Sequence, residues 1–209
     1  MTDEQREKTD IKPKIMKITG WAFRGIDLVH KPIEKIWHLL TNVSPLNENE
    51  IEAASKVLGA ASIRYNAVRV AEGRILKLTP WLHKRRPFVV FHTINFHKPR
   101  DNSKKHLSTM VHELTHVYQF EVVGSIYLWQ ALRVQWAEGG NAYKYGDWQG
   151  LKAKSDVGWH FRDYCREQQG QIAQDYYRDI LAAEELPPED DPERKAYEFF
   201  INELRNGEL

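Results

Sequence analysis

The sequence predicts an α+β fold, predominantly helical, with a small β-sheet lying beside a helix that carries paired histidines. Three observations point there. Apolar side chains recur at intervals of three and four over most of the chain, the period of an amphipathic helix. Only two segments, Ile63 to Val70 and Pro87 to His97, are rich instead in β-branched and aromatic residues. Capping residues precede the helical stretches, and glycines close several of them. With 209 residues, 42% of them hydrophobic and 28% charged, the chain is long enough for one substantial core and has the composition of a globular domain.

Residues 1–14 hold almost no apolar side chains and read as a disordered, solvated tail. An N-terminal amphipathic helical region is expected over 15–43, with a break near Pro32. It packs on the core or, being basic and containing Trp21 and Trp37, acts as a surface-seeking or partner-binding arm. The main domain is expected over 44–209. Ser44-Pro45 opens its first helix, with Asn47 as another cap, and Gly59 ends it after Leu58. The two β segments follow. The second has bulky groups on both faces and reads as one partly buried strand beside the site. Ser103 caps a helix to about Val123, closed by Gly124, and Ser125 caps another to about Glu138, closed by Gly139-Gly140. A loop comes next. Helical signals resume from Arg162 to Glu184 and, after the acidic proline-rich linker 187–192, from Glu193 to Leu204.

Charge and cysteine usage exclude several classes. A net charge of +1 gives no electrostatic basis for binding nucleic acid. The single Cys165 has no internal partner, suits a reducing cytoplasm, and reads as a buried structural thiol. No stretch approaches the roughly 18 apolar residues of a membrane span, so integral membrane association is not expected. The start MTDEQREKTDIKPK lacks the apolar run of a secretory signal. The protein is therefore expected in the cytoplasm of the producing cell, with any export proceeding through a signal-peptide-independent system.

The chemistry centres on His112-Glu113-Leu114-Thr115-His116, an HExxH pattern. Leu107, Met110, Val111, Leu114, Val117 and Tyr118 form the apolar stripe of its helix. His112 and His116, one turn apart on an adjacent face, can direct both imidazoles at one zinc ion. Glu113, rotated away from that axis, can reach a metal-activated water as general base without becoming a ligand. The bare pattern arises by chance in roughly one chain in thirty of this composition, so its helical context carries the argument. The metzincin extension would need Gly and a third His where Gln119 and Val122 stand, which excludes that subclass. His83, His92, His97, His106 and His160 read as surface or core histidines.

A catalytic zinc normally takes three protein ligands, so one more is required. The candidates are Glu138, at a Gly-Gly helix end and near the spacing of thermolysin-like peptidases, and Glu167. Glu167 is favoured because it starts a strong helix whose Gln171 and Asp175 follow on nearly the same face and could hydrogen-bond the ligands. For the oxyanion donor that amide hydrolysis needs, Tyr145 is the first choice and Tyr143 the second.

The run HELTHVYQFE, then Gly124, Tyr127, Ala131-Leu132, Ala142-Tyr143-Lys144-Tyr145 and EQQGQIAQDYY, resembles bacterial zincin-like proteins of the gluzincin kind. Members are often encoded near type VI secretion spike genes and described as vgr-related or metallopeptidases. The likeness covers roughly Pro45 to Asp179. It implies a zincin-like core, Zn2+ as cofactor, Glu167 as third ligand, a peptide or protein substrate, and a secretion-system spike or effector partner. The chain departs from it in Gly170, where the group suggests Ala, and in the added N-terminal helical region. Two functions are consistent with the sequence: a zinc peptidase, or a secretion-associated accessory protein whose zinc is structural. Glu113 favours the enzyme, because a structural zinc has no use for a base there.

Overall fold

The computed structural model describes residues 31–72, 86–126 and 139–209. The tail, most of the N-terminal amphipathic region, His83, Glu138 and nearly all of the helix expected from Ser125 lie outside the described residues. The architecture is mixed α+β and mainly helical, with one four-stranded sheet.

Residues 31–40 are helical and are tied to the sheet. Trp37 Nε1 donates to Asn95 Oδ1 at 2.8 Å, and the Glu34 carboxylate accepts from the His92 N–H at 2.8 Å. Strand β1 (Asn42–Pro45) follows, so Ser44-Pro45 belongs to a strand rather than a helix start. The cap of α1 (Glu48–Leu58) is Asn47: its side chain accepts from the Glu50 N–H while Glu50 accepts from the Asn47 N–H, a reciprocal capping box.

The segment expected as a strand from Ile63 to Val70 is mostly turn. A 3₁₀ turn, Tyr65–Ala67, is held by the Tyr65 hydroxyl donating to Gly59 O at 3.0 Å, and β2 occupies only Arg69–Glu72. The expected single strand from Pro87 to His97 is a hairpin, β3 (Phe88–Val90) and β4 (Thr93–Phe96), joined by a two-residue turn. Phe91 enters that turn with φ 55°, a conformation that bulky side chains rarely adopt. Burial of its ring 5.4 Å from Phe120 offsets the strain. The sheet order is β1-β2-β4-β3, with β2 and β4 parallel and the two outer pairs antiparallel.

Helix α2 (Lys104–Val123) packs against α1, the β3–β4 hairpin and the helix Arg166–Asp175. Ser103 caps it by accepting from the His106 N–H, and Gly124 ends it at φ 76°. Its stripe residues Met110, Val111, Leu114 and Val117 are fully buried, each contributing about 1.5–3 kcal/mol of apolar transfer. The region expected as a loop after Gly140 contains a further helix, α3 (Asp147–Asp156). Only Leu151 on it is fully buried, so it lacks an apolar stripe. Gly150 lets it approach the preceding chain, since a Cβ there would stand 2.8 Å from Tyr145 O.

The helical signal from Arg162 to Glu184 divides into a 3₁₀ turn (Phe161–Asp163), α4 (Arg166–Asp175) and a π-helical segment (Tyr176–Leu181). The last helix, α5 (Pro192–Arg205), starts at an Asp191 cap with Pro in its first turn. No helix among the described residues is long and apolar enough to cross a membrane.

Candidate metal centre

The site forms where α2 crosses α4. The imidazole of His112 lies against the backbone of Gly170, where a Cβ would stand only 2.9 Å from His112 Cε1. One turn earlier on α4, Glu167 shares the face of Gly170, so the close crossing carries its carboxylate to the two imidazoles. His112 Nε2 and His116 Nε2 are 3.2 Å apart, and Glu167 Oε2 is 3.6 Å from each. A tetrahedral zinc with bonds of about 2.0–2.1 Å has ligand-to-ligand edges of about 3.3–3.4 Å, so the three donors stand at coordination spacing. All three residues are buried, and among the described residues no other group of His, Cys, Asp or Glu meets such spacing. Two imidazoles and one carboxylate are a donor set that suits a divalent transition metal. This cluster could hold a metal ion.

A buried amide pair fixes the histidine that comes second in the motif. Gln119 Nε2 donates to Gln169 Oε1 at 2.9 Å and to Arg166 O at 3.2 Å, which turns Gln119 Oε1 toward His116 Nδ1 at 2.8 Å. His116 therefore carries a proton on Nδ1, which leaves Nε2 as the nitrogen that can ligate a metal once its own proton is displaced. Gln169 Nε2 in turn donates to Phe161 O at 3.0 Å. Among the described residues His112 Nδ1 is buried without a hydrogen-bond partner, so its ring is placed by packing on Gly170 and by the contacts of Nε2 with His116 and Glu167.

Charge coupling within the cluster is strong. Burial pulls the His116 pKa down, but Glu167, with Glu113 and Gln119, pushes it up to about 9. Burial raises the Glu167 pKa, yet His116 and His112 outweigh it and hold the carboxyl well below the usual range. Glu113 goes the other way: burial raises it above its ordinary value although both histidines pull it down. Its carboxylate makes no hydrogen bond among the described residues.

Comparison with protein-family models finds no match. Searches of curated proteins and of solved structures find no significant similarity either.

His112, His116 and Glu167 come together as the sequence leads one to expect, with Glu113 beside them. Tyr145 does not join them. Its hydroxyl donates to Asp175 Oδ2 at 2.7 Å and lies 2.9 Å from the Tyr197 hydroxyl, a buried network that commits it elsewhere. Tyr143 is the better placed of the two tyrosines, its ring centroid 5.9 Å from that of His112. Gln171 and Asp175, expected to support the ligands, bond each other at 2.9 Å instead, and Arg178 also engages Asp175.

The support comes from Gln119 and Gln169. The sequence marks Gln119 only as breaking the metzincin pattern, although its place three residues after His116 puts it within side-chain reach of the imidazole. His92, His106 and His160 pair with Glu121, Glu50 and Glu203 and stay apart from the cluster. Cys165 is half-buried rather than buried, and stands at the N-cap of α4 with its thiol 3.4 Å from Ala142 O.

Proposed function

We propose that the chain is a zinc-dependent peptidase that hydrolyses peptide bonds with Glu113 as general base. The observation that carries this reading is the placement of His112 Nε2, His116 Nε2 and Glu167 Oε2 at tetrahedral spacing beside the buried carboxylate of Glu113, which makes no hydrogen bond among the described residues. Zinc in such a site supplies Lewis acidity, polarising a scissile carbonyl and making water more acidic. His112, His116 and Glu167 would hold it, and Gln119 would keep His116 in the binding tautomer. Glu113 takes the water proton and returns it to the leaving amine. Tyr143, against the His112 ring, is the residue best placed to donate to the developing oxyanion. The resemblance to secretion-associated zincin-like proteins extends the proposal to an effector acting outside the producing cell.

Glu113→Gln tests it. The variant should keep its zinc, since no ligand is lost, while cleavage of peptides from a broad library falls by about 10² to 10⁴. Undiminished cleavage by the zinc-loaded variant would exclude Glu113 as base. A zinc-loaded parent that cleaves nothing would make the metal structural and the protein an accessory.

A further inference from the structure

Arg86 is exposed, immediately precedes the hairpin, and its guanidinium carbon stands 4.6 Å from the centroid of the Tyr143 ring. Tyr143 lies in turn against the His112 ring at a tilt of 36°. The three groups make a stack that runs from a metal-ligating histidine out to solvent. An aromatic face steadies a guanidinium while leaving its N–H fork free in the ring-parallel plane. Arg64, Arg100, Arg178 and Arg194 each pair with a carboxylate, whereas among the described residues no carboxylate pairs with Arg86. The stretch 73–86 contains Arg74, Lys77, Lys84, Arg85 and Arg86 and no Asp or Glu, so it brings no counterion of its own.

We propose that Arg86 determines specificity at this site: its guanidinium receives a carboxylate of the peptide whose carbonyl is presented to the His112, His116 and Glu167 cluster. The proposal rests on the peptidase reading and names its substrate class. One guanidinium-to-ring step of 4.6 Å and one ring-to-ring step of 5.9 Å separate Arg86 from His112, a span that an extended peptide covers in two or three residues at about 3.3–3.6 Å each. A carboxylate within that distance of the scissile bond, whether an Asp or Glu side chain or the chain terminus, can accept both N–H groups of the fork. A neutral substrate leaves the cation solvated and gains nothing from it.

Three short peptide hydroxamates with one backbone separate the alternatives: one with a Glu side chain and an amidated end, one with Gln and a free terminal carboxylate, and one with Gln and an amidated end. Hydroxamates chelate an accessible zinc whether or not turnover occurs, so binding to zinc-loaded protein is read without activity. At least one anionic probe should bind the parent roughly fivefold tighter than the neutral probe, with the preference shrinking as salt rises. The preferred probe identifies the source of the carboxylate. Arg86→Ala should abolish the preference while zinc content and affinity for the neutral probe stay as in the parent, and Arg86→Glu should reverse it. Equal binding of all three probes to the parent, or a preference that survives Arg86→Ala, overturns the role of Arg86 and leaves the peptidase reading standing. If no hydroxamate binds the zinc-loaded parent, the open metal site is refuted, and the proposal with it.

Discussion

Replacing Gly170 by Ala separates the effect of helix propensity from that of ligand placement. In an ordinary helix interior this change stabilises by about 0.5–1 kcal/mol, because Ala loses less conformational freedom on folding. Here the added methyl would stand 2.9, 3.0 and 3.1 Å from Cε1, Nε2 and Nδ1 of His112, inside normal van der Waals contact along the whole outer edge of the ring. The ring has little room to retreat, since it is buried and the His116 ring lies 4.9 Å away, centroid to centroid. Overpacking of this kind costs about 1–3 kcal/mol, so the metal-free variant should be about as stable as the parent or up to about 2.5 kcal/mol less so. Zinc affinity should suffer more, by about 10- to 100-fold, the range for lost support of a metal-ligating histidine. Competition with a chromophoric chelator gives the affinity, and thermal unfolding with and without zinc gives the stability. A variant that binds zinc within twofold of the parent and melts higher would refute the argument that Gly170 sets the position of His112.

Gln119→Ala removes the acceptor of His116 Nδ1–H and one of the two donors to buried Gln169 Oε1, the other being Arg166. It should weaken zinc binding by about 10- to 100-fold and cost about 1–3 kcal/mol of metal-free stability, both measurable on the same variant by chelator competition and urea unfolding. Glu50, fully buried, accepts from the Asn47 N–H and from Arg100 and lies 3.2 Å from His106 Nε2. Burial raises its pKa, but His106, the Asn47 N–H and Arg100 together bring it below its usual value, so its stabilisation is present above about pH 4.5 and is lost as pH falls through the folded value. Urea unfolding at pH 7 should show Glu50→Gln destabilised by about 3 kcal/mol, and the gap to the parent should close on acidification. A gap that widens toward pH 4 would contradict that sign.

The parts of the fold that the sequence announced are those in which one residue pattern determined the outcome. Helix α2 has a cap, a continuous apolar stripe and a terminal glycine, and two of its three histidines, His112 and His116, fall off the stripe where nothing but a shared ion or a neighbouring helix could use them. Glu167 was also legible, though through the wrong neighbours: Gln171 and Asp175 share its face in sequence, but the approach of Tyr145 and Arg178 draws Asp175 away. The hairpin was hidden because its turn depends on a buried Phe91 held at positive φ by tertiary packing, where a turn signal would require Gly, Asn or Asp. Helix α3 was hidden because its burial is confined to a few side chains and no stripe exists to detect. Gln119, Gln169 and Gly170 act only once α2 and α4 cross, and no spacing along either helix alone reveals that crossing.

The most direct test of the central claim is metal analysis of the purified, undemetallated protein, with Glu167→Ala alongside. The account predicts about one zinc per parent chain, a rise in melting temperature when zinc is returned to metal-free protein, and substantially weaker zinc binding by Glu167→Ala. Iron in place of zinc would move the two-histidine, one-carboxylate set to a different chemistry. No transition metal in the parent, together with no stabilisation on adding zinc, would contradict the account.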